Sequence, residues 1–89
     1  MSWDVKIPKP AQRELDALPE NIWQEAIEAI RELREDPFPE GCILLEGNVG
    51  LYRIRFYRGL YRIVYRVSEK QHRVVITRVR IRRNAYRGL

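Results

Sequence analysis

The chain of 89 residues has one cysteine and one histidine. The lone Cys42 cannot close an internal disulfide, and it reads as a small loop or core residue. The start shows no basic-then-apolar leader pattern, and no apolar run approaches the length of a membrane span. The expected setting is a reducing cytoplasm, away from membranes. A carboxylate pair, a Ser/His/Asp set and a cluster of metal ligands are all missing. The common hydrolytic and metal-assisted chemistries therefore have no residues to work with, and no cofactor or metal is expected. Acid is also scarce where base is abundant. Residues 1–49 carry five bases and eleven acids, a net −6, whereas residues 50–89 carry twelve bases and one acid, Glu69, a net +11. Eleven of those twelve bases are arginine, which grips phosphate bidentately and stacks on bases better than lysine does. An arginine-rich surface on a small protein suggests nucleic acid or an acidic partner.

What is there is organised around Leu51 to Arg66, LYRIRFYRGLYRIVYR. Its period of two predicts two strands joined by a tight turn at Arg58-Gly59. Tyr52, Ile54 and Phe56 share one face of the first arm, and Arg53 and Arg55 the other. In the second arm Tyr61, Ile63, Tyr65 and Val67 oppose Arg62, Val64 and Arg66. A two-residue turn pairs Tyr57 with Leu60, so that Arg55 faces Arg62 and Arg53 faces Val64. Like charges directly opposite on a sheet are unfavourable. Either an anion belongs on this face, or the arginines splay into water, where exposed charge effects are small. The apolar face is better explained as core than as a platform for stacking bases.

The length suits one domain, residues 1–89, with a modest core. Trp3 to Ile7 alternates like a strand, ended by Pro8 and Pro10. Ala11, Leu15 and Leu18 mark a short helix that Pro19 stops. Ile22, Trp23, Ala26, Ile27, Ile30 and Leu33 mark a second helix by their i, i+3, i+4, i+7 spacing. Its wet face carries Glu25, Glu28, Glu32 and Glu35, an acidic surface that needs no explanation beyond solubility. Asp36 to Gly41 is a firm stop. Ile43 to Leu45 suggests a short edge strand. Ser68 to His72 reads as a hairpin loop, with His72 exposed in it. Arg73 to Ile81 is the last strand, with Val75, Thr77, Val79 and Ile81 expected on one face and Val74, Ile76, Arg78, Arg80 and Arg82 on the other. The tail from Arg82 reads as a turn of helix or an irregular end.

Several short motifs in this order resemble the RelE/ParE superfamily of type II toxins. They are L-x-G-x-x-G-L-Y-R-I-R from Leu45 to Arg55, Y-R-I-V-Y from Tyr61 to Tyr65, D-P-x-P-x-G from Asp36 to Gly41, and Arg82 four residues before Tyr86. The resemblance implies an α+β fold of order β-α-α-β-β-β: a small antiparallel sheet with an N-terminal helical hairpin on one face and room for a short C-terminal helix. For the branch that cuts mRNA in the ribosomal decoding site, it implies that Arg53, Arg55, Arg62, Arg82 and Tyr86 carry the chemistry. Arg62 and Arg82 would clamp the phosphate, and Tyr86 would stack on a base or move a proton. Arg58, Arg78, Arg80 and Arg83 would add RNA contacts alongside Arg53 and Arg55. Ile81 stands where many relatives place histidine, so a histidine-based mechanism has no residue there. The partners implied are a cognate antitoxin, the ribosome and mRNA. The alternative is a ParE-like toxin that binds and poisons DNA gyrase without cutting RNA, and a third reading is an RNA-binding module without catalysis.

Overall fold

The computed structural model describes residues 2–81. Two helices lie on one face of a five-stranded sheet. The elements follow in the order β1 (Asp4–Lys6), α1 (Lys9–Asp16), α2 (Glu20–Glu35), β2 (Ile43–Glu46), β3 (Leu51–Phe56), β4 (Tyr61–Ser68) and β5 (Arg73–Ile81), with a 3-10 turn, Gly47–Val49, between β2 and β3. The sheet order is β1-β5-β4-β3-β2.

Prolines set the helix boundaries. Pro10 occupies the first turn of α1, where its missing N–H leaves no hydrogen bond unmade. Pro19 precedes α2 and accepts the Trp23 N–H through its carbonyl at 2.8 Å. The buried stripe of α2, Ile22, Ala26, Ala29, Ile30 and Leu33, meets Ala11 and Leu15 of α1. Both pack on Ile54, Phe56, Ile63, Tyr65, Val67, Val74, Ile76 and Val79 of the sheet. Each of these large side chains removes roughly 1.5–3 kcal/mol worth of apolar surface from water.

Two features depart from the expected pattern. The sheet is mixed, because β1 runs parallel to β5 through Asp4, Val5 and Lys6 against Arg73, Val74 and Val75. The other pairings are antiparallel, as expected. The faces of β5 also do not run straight through. Val64 pairs with Arg78 while the next residue, Tyr65, pairs with Ile76, which leaves Thr77 as an extra residue. Its hydroxyl donates back across the strands to the Val64 carbonyl at 3.0 Å. Such a bulge flips every side chain beyond it. Val74 and Ile76 therefore share the helix-side core with Val79, whereas the strict alternation placed them on opposite faces.

Candidate nucleic-acid interface

The β3–β4 turn decides which side chains meet on the open face. The Leu60 N–H donates to the Tyr57 carbonyl at 3.1 Å, closing the turn around Arg58 and Gly59. Arg58 and Gly59 have φ of 58° and 79°, the left-handed pair that a tight hairpin turn requires. Tyr57 is also left-handed, at φ 52°, and its hydroxyl accepts from the Asn21 amide at 3.2 Å, which ties the turn to the start of α2. The resulting register places Arg55 opposite Arg62 and Arg53 opposite Val64, as the sequence predicts. On its other side Arg62 is paired with Arg80, and Val64 with Arg78. Three arginines, Arg55, Arg62 and Arg80, thus lie in a row across three strands, on the face away from the helices.

Val64 is 7% exposed although it lies outside the helix-side core. Arg53 and Arg78 flank it in register, and the aliphatic stems of arginines cover apolar surface while their heads stay wet. Arg55 is exposed and Arg62 half-buried, and neither has a carboxylate partner among the described residues. Arg58 is exposed at the turn, at the same end of the sheet as the row.

Arg78 and Arg80 are held differently. Glu14 of α1 accepts from Arg80 Nε at 2.8 Å and from Arg78 Nη1 at 3.3 Å through one carboxylate oxygen. Its other oxygen accepts the Val79 backbone N–H at 2.8 Å. Burial pushes the Glu14 carboxyl up, but the Val79 N–H and the guanidiniums of Arg80 and Arg78 outweigh that and hold it below the usual carboxylate value. Sequence reasoning missed Glu14, yet a signal was present. Ala11, Glu14, Leu15 and Leu18 fall at i, i+3, i+4 and i+7, so an acid occupies the buried stripe and requires a cationic partner.

Other residues singled out by the sequence lie around this frame or beyond it. His72 is exposed in the β4–β5 loop, and its ring stacks on Trp3 at 4.0 Å. Tyr65 is fully buried and donates its hydroxyl to the Pro37 carbonyl at 2.7 Å, anchoring the loop between α2 and β2. Burial, with Cys42 alongside, pushes its phenol well above the ordinary value, so it remains a donor. Arg82, Arg83 and Tyr86 lie outside the described residues. No described helix is long and apolar enough to cross a membrane.

Comparison with known proteins agrees with this architecture. The family model described as ParE toxin of type II toxin-antitoxin system, parDE, matches residues 5–86. Toxin RelG of Mycobacterium tuberculosis is 34% identical over 98% of this chain and 99% of its own. The RelE in the archaeal RelE–RelB complex of Pyrococcus horikoshii superimposes with a TM-score of 0.79 at 33% identity, over 92% of this chain and 97% of that one. The M. tuberculosis toxin–antitoxin complex RelBE2 gives a TM-score of 0.76 at 30% identity, over 92% and 100% of the two chains. With the family model spanning residues 5–86 and a relative 34% identical over 98% of the chain, this chain belongs to the RelE/ParE superfamily of toxins of type II toxin–antitoxin systems.

Proposed function

We propose that this toxin is a ribosome-dependent mRNA endonuclease, neutralised by a cognate antitoxin. The observation that carries the reading is the Arg55–Arg62 pair. Two guanidiniums face each other on an open sheet face with no carboxylate partner among the described residues, beside the half-buried Arg53. A fold selected for stability alone gains nothing from that pairing. A phosphodiester on the same face would turn the repulsion into charge-assisted hydrogen bonds.

The chemistry such a face can support is cleavage by the RNA's own 2′-hydroxyl. The 2′-oxygen attacks the adjacent phosphorus, negative charge builds on the pentavalent phosphate, and the 5′-oxygen leaves with a proton. Fixed guanidiniums aimed at the developing charge supply the electrostatic part, for which Arg62 is the central group and Arg53 and Arg55 flank it. Arg82 would complete the clamp and Tyr86 would stack on a base or pass a proton. Arginine, with a pKa above about 12, and tyrosine, near about 10, are poor bases at neutral pH. The decoding site must therefore align the 2′-hydroxyl and complete the charge environment. An antitoxin partner is supported by the neighbours solved as toxin–antitoxin complexes.

The ParE description of the matching family model favours one rival, a toxin that poisons DNA gyrase. Mapping mRNA 5′ ends after incubating purified toxin with programmed ribosomes separates the two. Discrete new ends within the ribosome-bound codon, with naked RNA left whole, are expected. Intact message together with trapped gyrase–DNA cleavage complexes would transfer the assignment to the rival.

A further inference from the structure

The arginine face has a built boundary, and Glu14 makes it. Among the described residues no strand pairs with the outer side of β5 past Val75, because β1 pairs only with Arg73, Val74 and Val75. The Val79 N–H points out of that open edge, and the Glu14 carboxylate of α1 meets it there. The same carboxylate takes Arg80 Nε and Arg78 Nη1. Its side chain is 20% exposed, against 46% for Arg80 and 52% for Arg78, so the acid sits inward of both guanidiniums.

Two physical consequences follow. In the row Arg55–Arg62–Arg80 each member faces its neighbour directly across the ladder. Bonding Arg80 through Nε to an acid beyond the strand edge draws its guanidinium from Arg62 and relieves one like-charge contact. In addition, one carboxylate within bonding reach of two arginines halves their summed charge, and it repels any phosphate approaching that edge. Among the described residues Arg55 and Arg62 have no such neighbour.

The geometry points to Glu14 as a positioning residue that partitions the arginines. It reserves Arg55 and Arg62 on β3 and β4 for polyanion phosphates and withholds Arg78 and Arg80 on β5 from them. The anion path over the described sheet then follows β3 and β4 and does not run along Arg78 and Arg80. This rests on the reading of the face as an RNA surface, and it removes Arg78 and Arg80 from the RNA contacts that sequence alone suggested.

The test measures the salt dependence of binding, since each arginine that neutralises a single-strand phosphate steepens the slope of log K against log salt by about 0.7. A single-stranded RNA oligonucleotide and inorganic polyphosphate serve as the two probes. Glu14→Gln keeps an oxygen for the Val79 N–H and removes the charge. It is expected to steepen the slope by about 0.7 to 1.4 as Arg80, or both arginines, are released. Adding Arg80→Ala to Glu14→Gln is expected to take back about 0.7 of that gain. In the parent background Arg62→Ala is expected to lower the slope by about 0.7, whereas Arg78→Ala and Arg80→Ala are not. A fall on Arg80→Ala alone equal to that on Arg62→Ala would overturn the partition, even if Glu14→Gln fails to fold. So would an unchanged slope in a folded Glu14→Gln protein. If polyphosphate gives the expected pattern while RNA does not bind, the RNA reading falls and the role of Glu14 stands.

Discussion

The two faces of β3 and β4 are built from alternate residues of the same two strands, yet they are solved by opposite means. On the helix side Ile54, Phe56, Ile63, Tyr65 and Val67 are covered by α1 and α2. Every residue there is satisfied by packing, and the one buried phenol has its hydrogen bond. On the far side Arg55 faces Arg62 and a solitary Val64 is closed in between Arg53 and Arg78. That side leaves an unfavourable pairing standing. Apolar packing and the arginine cluster, for which polyanion binding is the proposal, thus fall on opposite sides of one pleat, where a step of a single residue changes from one to the other.

Arg62 and Ile63 are adjacent and give the sharpest break of this comparison. Ile63→Ala removes a fully buried core side chain and should cost about 2–5 kcal/mol of stability. Arg62→Ala should leave stability within about 0.5 kcal/mol and reduce mRNA cleavage by about 10²–10³-fold, the usual loss when one aimed donor is removed from a charged transition state. Urea denaturation read beside cleavage in programmed ribosomes checks both. An Arg62→Ala protein that unfolds as readily as Ile63→Ala would show that the faces are not separable.

This separation was legible in the sequence for the hairpin, because register there is local. A tight turn at Arg58-Gly59 fixes which residues oppose, and the period of two assigns the faces. The helices were legible for the same reason, from spacing within each segment. What failed was non-local. Nothing near Thr77 announces a bulge, since the shift is decided by how β5 pairs with β4. The parallel pairing of β1 with β5 joins residues some seventy positions apart, beyond the reach of any periodicity. Glu14 was visible as an acid in an apolar stripe, but its partners on β5 were not. Of the proposed site, the Arg55–Arg62 pair was readable, whereas the capture of Arg78 and Arg80 was not.

Smaller effects sharpen the comparison at its margins. Gly50, between the 3-10 turn and β3, lies in the left-handed region at φ 62°, and its carbonyl accepts the Val67 N–H at 2.9 Å. A Cβ there would lie 2.6 Å from the Val67 carbonyl oxygen, which is backbone and yields little. Gly50→Ala should therefore cost about 2 kcal/mol, from the left-handed penalty and the shift it forces. The loss should appear in the denaturation midpoint. Tyr65→Phe should cost less, about 1–2 kcal/mol, by leaving the Pro37 carbonyl without its donor while the ring still fills the core. Amide exchange should quicken around Phe38 and Cys42 before it does so in the helices. Uniform quickening would place the role of Tyr65 in the whole core instead.

The smallest expected effect is at Glu14, where the two faces meet, since this helix residue holds arginines that belong to the opposite side of the sheet. Its carboxyl lies below the usual value in the folded protein, because the Val79 N–H, Arg80 and Arg78 favour the charged form more than burial opposes it. A carboxyl lowered on folding contributes stability that is fully present above its unfolded value, about 4.3, and is lost as pH falls through the lower folded value. The partners are half exposed, so water screens the pairs and the contribution should be no more than about 1 kcal/mol. The difference in stability between the parent protein and Glu14→Gln isolates this residue, because all other titrating groups are common to both. That difference should be constant from neutral pH to about pH 5 and shrink toward zero below about pH 4. A gap that persists unchanged at pH 3 would mean that Glu14 acts through packing or the neutral hydrogen bond to Val79, and that its charge does not hold the arginines.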